Sequence, residues 1–265
     1  MNNFTVGIIG CGNMGGAIAK GMVASNVLSA ESIFLYDKDI EKAKDLAEKT
    51  GCALGELSQM VRGSEVLIIA VKPQDSDGLL KEIAADITDQ TIVSVMAGVR
   101  INSITGKLGK EVPVVRAMPN MAAFVSESIT SIACNSLVKR TEEVKSVFAG
   151  IGEVVEVEEG LMDAVTAVSG SGPAYLFHLA EAMVEAAIEV GFDTEVAEKL
   201  VVQTLYGSSL LLRESKEAPA DLIKKVSSKG GTTEAALTVL EKELKDIMKA
   251  AIKRAKERSE ELSKG

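Results

Sequence analysis

Unbroken apolar runs and helical repeats alternate along the first half of the chain. Phe4 to Ile9 (FTVGII), Ser32 to Tyr36, Glu65 to Val71 (EVLIIAV), Thr91 to Val95 (TIVSV) and Val112 to Arg116 (VPVVR) are short and rich in β-branched residues. Their apolar positions are mostly consecutive, as in strands covered on both faces. Helical spacing returns between them, in GAIAKGMVAS after Met14, in Ile40 to Lys49, and at about 75–86 and 100–109. Strand and helix in alternation predict repeated βαβ units on a parallel sheet. Phe124 to Cys134 and Gly152 to Val157 add two strands, with a helix from Thr141 to Ala149 between them.

Beyond Glu158 the pattern becomes helix after helix, which sets a boundary near residues 158–163 and domains of 1–160 and 161–265. Met162 to Val168 is helical, and Ser169-Gly170-Ser171-Gly172-Pro173 then interrupts or kinks the run, because proline starts a helix well but cannot continue one. Ala174 to Val190 follows; Asp193 opens a helix to about Arg213, and Pro219 a short one to the turn at Ser227. Another begins near Thr232 or Thr233. Glu241 to Gly265 reads as a charged terminal helix docking through Leu244, Ile247, Met248, Ala251 and Ile252.

The candidate chemistry lies at strand ends. Gly10-Cys11-Gly12-Asn13-Met14-Gly15 is wedged between the first strand and the first helix, where a G-x-G-x-x-G is far more telling than in isolation. Gly10 allows the tight turn, Gly12 lets a pyrophosphate approach the backbone, and Gly15 allows helix and strand to touch. Asp37, 22 residues beyond Gly15, ends the second strand where an acid accepts hydrogen bonds from an adenosine ribose. It argues for NADH. Lys38 and Lys42 argue back, either flanking a 2′-phosphate or belonging to a solvated helix face, so the choice between NADPH and NADH stays open with a lean to NADH. Lys72-Pro73, Met96-Ala97-Gly98 and Ala117-Met118-Pro119-Asn120 fall on the same carboxyl edge, where such sheets bind ligands. Taken singly, Lys72-Pro73 and Pro119-Asn120 read better as plain strand terminators, since proline ends pairing, and they carry weight only as a set. The residues assigned to the cofactor are Gly10, Gly12, Asn13, Met14, Gly15, Asp37, Lys38, Val71, Lys72, Pro73, Ala97 and Gly98.

The second half offers one stretch of comparable interest, Val226 to Leu240 (VSSKGGTTEAALTVL). Two glycines ahead of a helix start let successive amides point at one spot, where the helix dipole adds positive potential and a small carboxylate could sit. An ordinary N-cap explains the same residues. In Ala174 to Val190 nearly every position outside the stripe Glu181, Glu185, Glu189 is apolar or small, which calls for enclosure on several sides and predicts a homodimer at minimum. His178, the one histidine, has no Cys, Asp or second His beside it and reads as packed or partner-bonded rather than catalytic.

Composition narrows the partners. With 265 residues and 46% hydrophobic content the chain can bury a real core. Cys11, Cys52 and Cys134 are odd in number and lack metal-ligand spacing, so no metal site is expected and a reducing cytoplasm is the simplest setting. The first strand, starting by Phe4, leaves no room for a leader, and no apolar run approaches the roughly 18 residues of a membrane span. A net charge of −9 opposes nucleic acid and anionic lipid, leaving the locally basic Lys249 to Arg258 as a solvated helix face.

Taken together, VGIIGCGNMGGAI at the start, AVKPQ at 70–74, RAMPN at 116–120, VSGSGPAY at 168–175 with Glu181-Ala182, and SSKGGTTEAAL at 227–237 resemble the pyrroline-5-carboxylate reductases over essentially the whole chain. The last two motifs are the specific ones. The resemblance implies a doubly wound (Rossmann) N-terminal α/β domain, an all-α C-terminal dimerisation domain, and dimers able to assemble further. It implies reduction of the cyclic imine Δ1-pyrroline-5-carboxylate to proline by NADPH or NADH. By position it puts the substrate carboxylate on Ser228 and the amides of Gly230, Gly231 and Thr232, the ring nitrogen on Thr233, and Asn120 on the substrate side. A threonine hydroxyl is too weak an acid to be a good proton donor at neutral pH, so Thr233 orients or relays. Lys229 departs from the family's usual proline and places a cation beside the turn. A β-hydroxyacid dehydrogenase would need a lysine base in the first long helix of the second domain, and Ala174 to Val190 has none. Another imine reductase, or a non-catalytic nucleotide-binding protein on the same scaffold, stays open.

Overall fold

Parallel strands can be joined only by long crossovers, and the apolar runs and helices alternate at the spacing this requires. The computed structural model describes residues 4–263. In chain order its first part runs β1 (Val6–Ile9), α1 (Asn13–Ala24), β2 (Ile33–Tyr36), α2 (Ile40–Thr50), β3 (Ala53–Leu54), α3 (Leu57–Gly63), β4 (Val66–Ile69), α4 (Ser76–Ile83), β5 (Thr91–Ser94), α5 (Ile101–Leu108), β6 (Val114–Met118), β7 (Ser128–Cys134), α6 (Thr141–Ala149) and β8 (Gly152–Glu156). These strands form one eight-stranded sheet in the order β3-β2-β1-β4-β5-β6-β7-β8. β1 lies between β2 and β4 with Val6 opposite both Ile33 and Val66. The chain builds outward from β1 in one direction, then crosses back to build in the other, and a crevice opens above the carboxyl ends of β1 and β4.

Both faces of the sheet are covered. Val6 and Ile8 join Ile18, Met22, Leu46 and Phe148 in one apolar cluster, whereas Ile9 joins Met60, Leu67, Ile69, Leu80 and Ile104 in the other. Fully burying one such aliphatic side chain contributes about 1.5–3 kcal/mol relative to leaving it exposed.

Three local features differ from the sequence pattern. Phe124 to Cys134 is not all strand: Met121–Val125 forms a 3-10 turn, capped by the Asn120 side chain accepting from the Ala122 amide at 3.1 Å, and the strand begins only at Ser128. So short a link cannot cross the sheet, and β7 pairs antiparallel with β6. The second feature is β3 and α3, too short to leave a periodic signal. Third, α7 (Met162–Val165) is only four residues long and passes into a π-turn at Thr166–Gly170, where the Ser171 amide donates to Thr166 O at 2.8 Å.

The chain then forms α8 (Gly172–Glu189), α9 (Thr194–Ser215), α10 (Pro219–Val226) and α11 (Thr232–Leu262). Asp193 caps α9 by accepting from the Val196 amide at 2.9 Å. The start of α11 and a separate terminal helix were expected; with no Gly or Pro after Gly231 before the chain end, they are one helix of 31 residues. Its expected docking face is not covered within the chain, since Leu244 and Ile247 stay exposed.

Two compact units result. One holds the described residues up to Ser171 and again from Ala255; the other is Gly172–Arg254. The division thus falls later than the 160/161 boundary read from the sequence, and the end of α11 packs with the sheet unit. Buried Asp163 makes the second of these connections. Its Oδ1 accepts from Ser259 Oγ at 2.7 Å and Ser263 Oγ at 3.1 Å, and its Oδ2 lies 3.7 Å from Arg100.

Candidate active site

β1 ends in a turn that only glycine can make. Gly10 has φ +104°, its amide donates to Tyr36 O at 2.8 Å, and a Cβ there would lie 2.6 Å from Ala70 O. A Cβ on Gly15 would overlap the Gly10 carbonyl oxygen, so α1 starts hard against the turn. Gly12 instead faces open space: nothing lies within 4 Å of where its Cβ would be. It is the N-cap of α1, no side chain caps that helix, and no acid sits in its first turn. Uncapped amides at a helix start, with the dipole behind them, suit a pyrophosphate.

Asp37 closes the other side. Its Oδ2 accepts from the Cys11 amide at 2.7 Å and its Oδ1 from the Asp39 amide at 2.9 Å, so the acid is held against the glycine turn with lone pairs to spare. Burial, and next the Asp37 charge, push the Cys11 thiol up to about 12, which keeps it protonated and unreactive. Lys38 pairs with Asp75 at 3.0 Å and Lys42 with Asp39 at 3.3 Å.

A cleft of about 430 Å³ gathers Gly10, Gly12, Asp37, Lys38, Val71 and Lys72 from the residues assigned to the cofactor. Asn13 lines a neighbouring groove along α1, Met14 and Gly15 belong to the first turn of α1, and Pro73 starts a short 3-10 turn at 73–75. Ala97 and Gly98 follow β5, with Gly98 against Leu262 and Ser263 at the end of α11. Tyr36, Ala70, Asp75, Gly78, Leu79 and Glu82 also line the cleft and were not assigned from sequence. Their signal was positional: Tyr36 and Ala70 lie at the carboxyl ends of β2 and β4, and Asp75, Gly78, Leu79 and Glu82 just before or along α4.

Asn120 has both ends of its side chain engaged. Oδ1 accepts from the Ala122 amide, and Nδ2 donates to Ser169 O in the π-turn at 3.1 Å. It therefore ties the end of β6 to the turn that leads into the helices. Nearby, buried Arg116 pairs with Glu159 at 3.3 Å, and Glu159 also accepts from the Ile101 amide at 2.8 Å.

In the helical unit the turn before α11 is folded on itself. Gly230 has φ +72° and its amide donates to Glu234 Oε2 at 2.7 Å, while the Gly231 amide donates to Ser228 O at 2.9 Å. One assigned amide thus already carries a carboxylate, supplied by the chain's own Glu234. Thr232 and Thr233 open the helix, Lys229 is exposed, and Ser227 Oγ is buried without a hydrogen-bond partner. His178 is exposed and bonded to Glu181 Oε2 at 3.1 Å, the partner-bonded case.

A doubly wound sheet with a glycine cradle, an acid held at the end of β2 and an all-helical second unit defines a dinucleotide-dependent oxidoreductase of two domains. Residues 159–262 match the family model "Pyrroline-5-carboxylate reductase dimerisation", and residues 5–98 match "NADP oxidoreductase coenzyme F420-dependent". The chain is 38% identical over 264 residues to the pyrroline-5-carboxylate reductase of Synechocystis, covering 98% of each. Its structure is similar to that of a pyrroline-5-carboxylate reductase from Coxiella burnetii (TM-score 0.95, 32% identity, 100% of both chains). It is also similar to the Plasmodium falciparum pyrroline carboxylate reductase solved with NADP bound (TM-score 0.87, 28% identity, 99% of both). The chain belongs to the pyrroline-5-carboxylate reductase family.

Proposed function

We propose that this protein reduces Δ1-pyrroline-5-carboxylate to L-proline, the last step of proline synthesis, using NADPH or NADH. The observation that carries the reading is kinship along the whole chain with proteins of that name, and the glycine cradle gives it a place for the cofactor. When bound, the cofactor supplies a hydride to the imine carbon. The protein's own task is to hold two reactants face to face and keep water out. Gly12 and the start of α1 hold the pyrophosphate, and Asp37 the adenosine ribose.

The substrate carboxylate goes to Ser228 and the amides of Gly230, Gly231 and Thr232. To enter, it displaces Glu234 from the Gly230 amide and competes with Ser228 O for the Gly231 amide. Thr233 Oγ1 bonds the ring nitrogen and orients or relays its proton. Asn120 acts by holding the π-turn through Ser169 rather than by gripping substrate.

The helical unit pairs two protomers, and such dimers assemble further. The substrate is a small molecule, not nucleic acid, and the setting is the cytoplasm. Among the described residues no helix is long and apolar enough to cross a membrane. Following nicotinamide absorbance with purified protein and pyrroline-5-carboxylate tests the reading. Cofactor binding without substrate-dependent oxidation would leave only a nucleotide-binding protein.

A further inference from the structure

The structure assigns this cleft to NADH over NADPH, with Asp37 as the discriminating residue; the inference rests on the reductase reading only for the identity of the reaction. Asp37 is not a loose surface acid. Its two oxygens accept from the Cys11 and Asp39 amides, which aims the carboxylate into the cleft beside Gly10 and Gly12 and leaves lone pairs for a vicinal diol. A 2′-phosphate would replace a hydrogen-bond donor by a dianion next to a fixed negative charge.

Two of the three lysines lining the cleft already have acidic partners. Lys38 pairs with Asp75 and Lys42 with Asp39, so a phosphate recruiting either one competes with a carboxylate. Glu82 lines the same cleft, so four carboxylates, Asp37, Asp39, Asp75 and Glu82, stand in and beside it against Lys38, Lys42 and Lys72. With no surplus positive charge, the neutral ribose is the better tenant.

Direct binding tests this without turnover. Titration calorimetry with ADP and with 2′,5′-ADP, and fluorescence titration with NADH and NADPH, are expected to favour the unphosphorylated ligand of each pair by about tenfold or more. Asp37→Ser should lose NADH affinity and gain NADPH affinity, with its unliganded thermal midpoint showing that the glycine turn still folds. Asp75→Asn leaves Asp37 in place and frees Lys38, so it should tighten 2′,5′-ADP several-fold. Equal or tighter binding of the phosphorylated ligands by the unaltered protein would overturn the inference while leaving the reductase reading intact. If neither nucleotide binds, the cleft is not a dinucleotide site and both readings fall.

Discussion

The sheet unit and the helical unit solve the burial problem differently. In the first, β1, β4 and β5 are buried at every position and helices cover both faces. In the second, α8 buries none of its residues and α9 only Ala197 and Val201, leaving Leu176, Phe177, Leu200 and Tyr206 open. Contiguous apolar surface on that scale marks a docking face. The sheet unit is a finished fold within one chain, whereas the helical unit, which matches a dimerisation family model, leaves much of its apolar surface uncovered in the single chain.

The sharpest way to break this contrast is Phe177→Glu. The side chain is 62% exposed in the single chain, so folding of the protomer should be little affected. Dimer affinity should fall by about 4 kcal/mol, roughly a thousandfold in Kd, as expected for a buried aromatic anchor. Light scattering at micromolar concentration should then give the mass of a monomer; a dimer of normal affinity would mean that α8 is not the interface. Ile68→Ala should show the opposite character. This residue is fully buried in β4, and its truncation should cost about 2–5 kcal/mol in denaturant unfolding without altering the assembly of what remains folded.

Thr233→Ala sharpens the comparison at the chemistry. It should lower kcat by about a hundredfold, the low end of proton-transfer assistance, with the cofactor KM nearly unmoved. An unchanged kcat would remove Thr233 from the mechanism. The smallest expected effect concerns the latch that joins the end of α11 to the sheet unit. Asp163→Asn keeps the shape but replaces charge-assisted bonds from Ser259 and Ser263 with neutral ones, at a cost of about 1–2 kcal/mol. Hydrogen exchange should show the tail fraying before the sheet opens. Uniform loss of protection would mean that the tail and sheet open as one.

Much of the architecture was legible because its cause is local. Consecutive β-branched residues in EVLIIAV or TIVSV mark a doubly covered strand wherever they stand, and the glycines of the first turn report a close backbone approach that no other residue permits. The cap at Asp193 and the helix start at Pro219 are also local, and both were readable. Features made by distant partners were not. Asn120 finds Ser169 across 49 residues, and Ser259 finds Asp163 across 96. No periodicity encodes such pairs.

The amino-acid order by itself determined the alternation of strands and helices, the placement of candidate chemistry at strand ends, and the turn before α11, since each depends on backbone preferences and apolar spacing within a few residues. Only the tertiary structure decided that β7 runs antiparallel, that the chain passes through a π-turn, that Asp37 is braced by the Cys11 amide while Asp75 occupies Lys38, and that the final helix is latched to the sheet unit. Those outcomes depend on which side chains meet once the chain is folded, and such meetings are set by packing over long sequence separations.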